Sequence, residues 1–158
     1  GAVTFDPLAF DVDADLAAGI LWLDALTGNV DRTVRNTNLM IWHGRLWMID
    51  HGAALTFHHD WARHLAADVP RGFGRIGDHV LLGAGAPRIA ARDAELAQAL
   101  SPPVIDGVLA LIPDSWLDDE PAFGDVAAHR DAYRRFLAVR LAQPRQFVEE
   151  AVRVAAHV

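Results

Sequence analysis

The 158-residue sequence contains neither cysteine nor lysine. Without cysteine, disulfides and thiolate chemistry are excluded, and a reducing, cytoplasmic compartment is the natural expectation. Without lysine, all 14 basic side chains are arginines, so any chemistry that calls for a lysine amine needs another cation. Long hydrophobic runs are also missing. Stretches such as Val108–Ile112 span only a few residues, so nothing reads as a membrane span, and no basic and apolar leader opens the chain. Positive charge is scarce, with 14 basic against 21 acidic residues and a net charge of −7. Such an acidic chain lacks the footprint of a general nucleic-acid binder.

What is present is a globular composition, 52% hydrophobic and 22% charged, of a length suited to one domain over residues 1–158. Leu16, Ile20, Leu23 and Leu26 recur at helical spacing from Asp13 to Leu26, with Asp11 or Asp13 as N-cap and Gly28 as C-cap. Residues 29–38 have no period and read as a loop. "LMIW" and "RLWMI" then read as two strands joined at His43-Gly44, where glycine supplies a positive φ.

Beyond "AALTF" the pattern is helical. "HHDWARHLAADV" predicts a helix, residues 68–85 a glycine-rich loop or broken helix, and residues 87–100 an amphipathic helix. Ser101-Pro102 opens a further helix that Pro113 stops. Two more follow on either side of Pro144. The expected fold is mainly α with a small β-hairpin insertion.

Chemistry concentrates in "NVDRTVRNTNLMIWHGRLWMIDHG", from Asn29 to Gly52. Asp31 and Asn36 stand five residues apart before the hairpin, and Asp50-His51-Gly52 forms a turn after it. Phosphoryl transfer needs a carboxylate to orient the acceptor hydroxyl and hard oxygens for Mg²⁺. An Asp, an Asn five positions on, a hairpin and an Asp-x-Gly turn supply that set in order. The bland alternative is a turn-capping Asp31 and a left-handed Asn36.

The stretch resembles the catalytic and metal loops of the protein-kinase-like superfamily, and within it the HipA-like kinases. Phosphoinositide kinases share a similar loop and turn. The resemblance implies the C-terminal lobe of a protein-kinase-like fold, with ATP as co-substrate and Mg²⁺ or Mn²⁺ as cofactor. Asp31 takes the place of the catalytic aspartate, Asn36 and Asp50 those of the metal ligands, and Gly52 that of the turn glycine. His51 stands where protein kinases carry Phe, and Thr33 where many carry a phosphate-contacting Lys. Arg32 or Arg35 then serves the phosphate, unless Arg32 is a structural ion pair into the helical body.

No glycine-rich hairpin precedes Asp31, so the N-terminal ATP-clamping lobe is expected outside this chain, as a partner or upstream domain. The isolated chain is then expected to be inactive. Its exposed lobe face, with Trp42 and Trp47 on the hairpin, is a candidate for self-association, and Trp61 for the core. The acceptor is a hydroxyl on a protein or a small molecule, the latter as in aminoglycoside phosphotransferases. Two other classes remain, a non-catalytic kinase-like binding module and an HD-type metal phosphohydrolase built on His58, His59 and Asp60.

Overall fold

A computed structural model describes residues 1–157. The described residues form six α-helices beside a small three-stranded antiparallel sheet: α1 (Ala14–Thr27), α2 (Trp61–Leu65), α3 (Leu82–Ala99), α4 (Pro102–Ala110), α5 (Val126–Leu141) and α6 (Gln146–Ala155). The strands are β1 (Val3–Thr4), β2 (Leu39–Trp42) and β3 (Arg45–Met48), in spatial order β1-β2-β3.

α1 is the central element. Its N-cap is Asp13, whose carboxylate accepts the Asp15 and Leu16 N–H groups, and Gly28 closes it at φ 68°. The expected single apolar face is too narrow. Leu21, Trp22, Ala25 and Leu26 are fully buried, whereas Leu16 and Leu23, counted toward that face, are exposed. Each large side chain taken from water contributes roughly 1.5–3 kcal/mol, so the sunken Leu-Trp and Ala-Leu pairs dominate the anchoring. The Trp22 indole meets Phe147 edge-on at 5.7 Å and donates to Asp93 at 2.8 Å.

Arg140 of α5 fixes the end of α1. Its guanidinium donates to the Leu26 carbonyl at 2.6 Å and the Ala25 carbonyl at 2.5 Å, satisfying orphan acceptors of the last turn. Burial pushes its pKa down to about 10, against the opposing pull of Glu150. The loop that follows α1 therefore departs from a fixed point.

α3 begins at Leu82, five residues before the start expected at Pro87. Gly83, Gly85 and Pro87 oppose helix locally, but a close helix–helix approach overrides them. A Cβ on Gly85 would lie 2.8 Å from the Ala17 carbonyl, so only glycine lets α3 pack this tightly on α1. The expected helix from His58 onward is split into a 3₁₀ turn, Thr56–His59, and the short α2. Asp60 breaks it by capping the Arg63 N–H at 3.3 Å, and cap chemistry wins over continuation.

The hairpin forms as expected, with His43 at φ 49° and Gly44 at φ 69°. β1 is an addition, pairing Val3 with Ile41 and Thr4 with Met40. Trp61 lies in the core, stacked edge-on against Phe57 at 5.1 Å. Trp42 and Trp47 meet each other at 5.4 Å and stay 41% and 44% exposed on the hairpin.

Candidate functional site

The loop from Asn29 to Asn38 hangs on a buried polar network. Asp24, in the last turn of α1, is 1% exposed and accepts from three side chains. Arg32 Nε donates to Asp24 Oδ2 at 2.5 Å, His79 Nε2 lies 3.0 Å from that oxygen, and Asn29 Nδ2 reaches Oδ1 at 3.0 Å. The Leu81 N–H donates to His79 Nδ1 at 3.1 Å, which leaves Nε2 as the donor toward Asp24. Burial alone would raise the Asp24 pKa, but the hydrogen bonds from His79 and Arg32 outweigh it and hold the carboxyl below its ordinary value.

Arg32 is the hub. With its side chain fully out of solvent, it takes the structural of its two candidate roles and is not free to clamp a phosphate. One end grips Asp24. The other donates through Nη1 to the Asn38 carbonyl and, at 3.5 Å, reaches the Ile49 carbonyl. Nη2 stands 3.5 Å from His51 Nδ1. One guanidinium thus ties the end of α1 to the start of β2 and to the residue before Asp50. The backbone adds Ile49 N–H to the Asn38 carbonyl at 3.0 Å and Val80 N–H to the Arg32 carbonyl at 3.0 Å.

Asp31 lies on the outer side of this anchored loop. Its N–H donates to Asn29 Oδ1 at 3.2 Å, and its Oδ2 accepts Asn36 Nδ2 at 2.9 Å and Asn38 Nδ2 at 3.1 Å. The loop is closed by Thr33, whose N–H donates to the Asn36 carbonyl at 2.9 Å and whose hydroxyl accepts the Asn36 N–H at 3.2 Å. Asp50 follows the paired Ile49. Its Oδ1 accepts the Gly52 N–H at 3.3 Å, an Asx turn that orients the carboxylate. Asn38 at φ 46° and Asp50 at φ 49° occupy the left-handed region, which short polar side chains tolerate.

The structure therefore brings Asp31 and Asn36 into direct contact and places Asp50 at the end of the neighbouring strand. Among the described residues, Asp31 Oδ1, Asn36 Oδ1 and Asp50 Oδ2 accept no hydrogen bond. Arg35 is exposed and makes no ion pair or hydrogen bond among the described residues. With Asn36, Asn38 and Ile49 it lines a cleft of about 450 Å³ against Phe5–Leu8. His51 and Gly52 are exposed in the turn.

Sequence reasoning passed over Asn38, Asp24 and His79. Asn38 was visible as the second Asn of "NTN". Asp24 and His79 are 55 residues apart and carry no local signal, although an Asp in the last turn of an otherwise apolar helix is out of place beside the helix dipole.

The side chains of the His58–Asp60 alternative have other partners. His58 Nδ1 sits 3.1 Å from the Tyr133 hydroxyl, and Asp60 caps α2. Among the described residues, no three His, Asp or Glu side chains converge as a metal-ligand cluster. Comparison with known proteins adds no relative: no family model, no curated protein and no solved structure matches the chain.

Proposed function

We propose that this chain carries the acceptor-orienting and metal-binding half of an ATP-dependent phosphotransferase site, as the C-terminal lobe of a protein-kinase-like fold resembling the HipA-like kinases. The observation that carries the reading is the Asn36-to-Asp31 hydrogen bond on a loop whose next strand is locked, through Arg32, to the residue before Asp50. Each of the three residues keeps one oxygen without a partner among the described residues. Two carboxylates and a carboxamide make a hard-oxygen set of the kind Mg²⁺ takes alongside phosphate and water oxygens. Bound there with a nucleotide, the ion would neutralise charge on the phosphates.

The chain's own residues have distinct tasks. Asp31 is held by Asn36 and Asn38 through one oxygen, so the other is aimed to accept an acceptor hydroxyl proton. Asn36 and Asp50 would hold the metal. Arg35, in place of a lysine, is the free cation within the same loop for a transferred phosphoryl group. Arg32, Asp24, Asn29 and His79 hold the loop and touch no substrate. Positioning supplies most of the rate in such reactions, so this buried support is part of the proposed machinery. Remaining phosphate-clamping groups would come from outside these residues, seated on the exposed Trp42, Trp47 and Ile49 of the hairpin.

The test is NMR mapping with Mn²⁺ and a non-hydrolysable ATP analogue. Broadening should centre on residues 31–36 and 50–52 and disappear in Asp50→Ala. Broadening centred on His58–Asp60, or unchanged in Asp50→Ala, rejects the assignment.

A further inference from the structure

A second opening lies away from the Asp31 loop, between α1, α4 and α5, with a volume of about 520 Å³. That size falls within the range of small-molecule sites, and the opening reaches solvent past Val108 and Trp116. Its walls come from three helical stripes. α5 contributes Tyr133, Leu137 and Leu141 at successive turns, and α4 contributes Ile105, Val108, Leu109 and the following Ile112. Leu23 and Leu26 of α1 form the floor.

The walls are mostly aliphatic, with Trp116 as a further aromatic member. Tyr133 and Leu141 are eight residues apart, so the cavity runs roughly 12 Å along α5. At the Tyr133 end the phenol and His58 Nδ1 lie 3.1 Å apart. Thr27, also in the lining, spends its hydroxyl on the Leu23 carbonyl at 2.9 Å, and Trp116, 76% exposed, adds an indole on the solvent side. No Arg, Asp or Glu lines the cavity. Burial, with smaller contributions from His59 and His129, lowers the His58 pKa, so the imidazole is uncharged at neutral pH. Leu55, which closes the same end, is held at φ 55° by its N–H bond to the Thr27 carbonyl at 2.8 Å. A bulky residue in the left-handed region is a true outlier, and here it keeps a side chain on the cavity wall.

We propose that this cavity is a binding site for an uncharged, elongated apolar molecule with one hydroxyl head, such as a medium-chain alcohol, whose head meets His58 and Tyr133. The elongated shape follows from the 12 Å stripe, the apolar tail from the aliphatic walls, and the uncharged head from a lining without ionised groups. An anionic head would lose hydration and find no cation there. The inference is independent of the phosphotransfer reading, since it uses none of Asp31, Asn36 or Asp50.

Isothermal titration with octanol, octanoate and octane tests it. Octanol should bind saturably at one site, roughly tenfold more tightly than octanoate. Val108→Trp, at a half-exposed position on the rim, should abolish octanol binding. Leu23→Trp, on the α1 side, should do the same should the first variant fail to fold. Val104→Trp, on α4 but outside the lining, should leave binding intact. His58→Leu should bring octanol down to octane's affinity. Absence of saturable binding, octanoate binding as tightly as octanol, or loss in Val104→Trp overturns the proposal. So does octanol binding that survives both wall substitutions. Failure because another segment or a second copy of the chain already covers the cavity would count equally against it.

Discussion

Replacing Arg32 by Met tests the support of the site without touching any proposed ligand. The Arg32 side chain is fully buried, and that of Asp24 is 2% exposed. Methionine keeps much of the volume but removes every donor. Asp24 then keeps only His79 and Asn29, and the Asn38 carbonyl loses its charged donor. Leaving one member of a buried ion pair uncompensated costs about 3–5 kcal/mol. A domain of this size is stable by roughly 5–15 kcal/mol, so the loss is a large fraction of the total. At roughly 2–4 °C per kcal/mol, Tm should fall by about 6–20 °C.

The pH dependence has a definite sign. In the native protein the Asp24 pKa is depressed, so its contribution is present above the unfolded value and lost as pH falls through the folded one. Without Arg32, the carboxyl keeps the His79 hydrogen bond but loses a second one that opposes burial, so its pKa rises from the native value. The deficit of Arg32→Met should therefore shrink as pH falls through that raised value, where a protonated Asp24 is less costly to bury. Thermal unfolding followed by circular dichroism measures both effects. Asp24→Leu combined with Arg32→Met should be less destabilised than the sum of the single changes. A Tm change below about 2 °C, or additive single effects, would refute the reasoning.

Other outcomes are equally definite. Gly85→Ala should destabilise by about 1–3 kcal/mol, because its Cβ meets the Ala17 backbone; unchanged urea unfolding contradicts the α1–α3 contact. Mg²⁺ without nucleotide should bind at best in the millimolar range and not at all in Asp50→Ala, as read by calorimetry. Asn36→Ala should change stability by less than about 1 kcal/mol, since it is exposed on the loop, whereas Asp31→Ala, which strips a hydrogen bond from the buried Asn38 amide, should cost about 1–3 kcal/mol; the reverse order by urea unfolding would contradict these contacts. The His58 imidazole should titrate below 6.5 by NMR, so its contribution to stability is full above that pH and declines as pH falls toward the folded value.

How much was legible depended on the range of the forces involved. The hairpin could be read because His43-Gly44 suits two consecutive positive φ values, and the end of α1 because Gly28 suits a left-handed cap. Ser101 marks the start of α4 as expected, but its hydroxyl makes no cap bond, so Pro102 carries that signal. β1 was invisible because two residues have no period. The start of α3 was misplaced because its glycines and proline are decided by contact with α1. The same division runs through the site. Asp31, Asn36 and Asp50 stand in one stretch with motif spacing, while the group that holds them draws on Asp24 and His79, joined to Arg32 only in three dimensions. Arg32 itself was readable as a residue, but its choice between phosphate and structure was settled by burial.

In the proposed phosphotransfer, Asp31 orients an acceptor hydroxyl while Asn36 and Asp50 hold the metal. Its most direct test is transfer of radiolabelled γ-phosphate from ATP to a hydroxyl acceptor, or to the protein itself. Asp31→Ala, Asn36→Ala and Asp50→Ala should each lower the rate by at least about a hundredfold without a matching loss of fold, whereas the exposed Asp118→Ala, away from the loop, should not. Transfer at an unchanged rate in Asp31→Ala would rule out that role for Asp31.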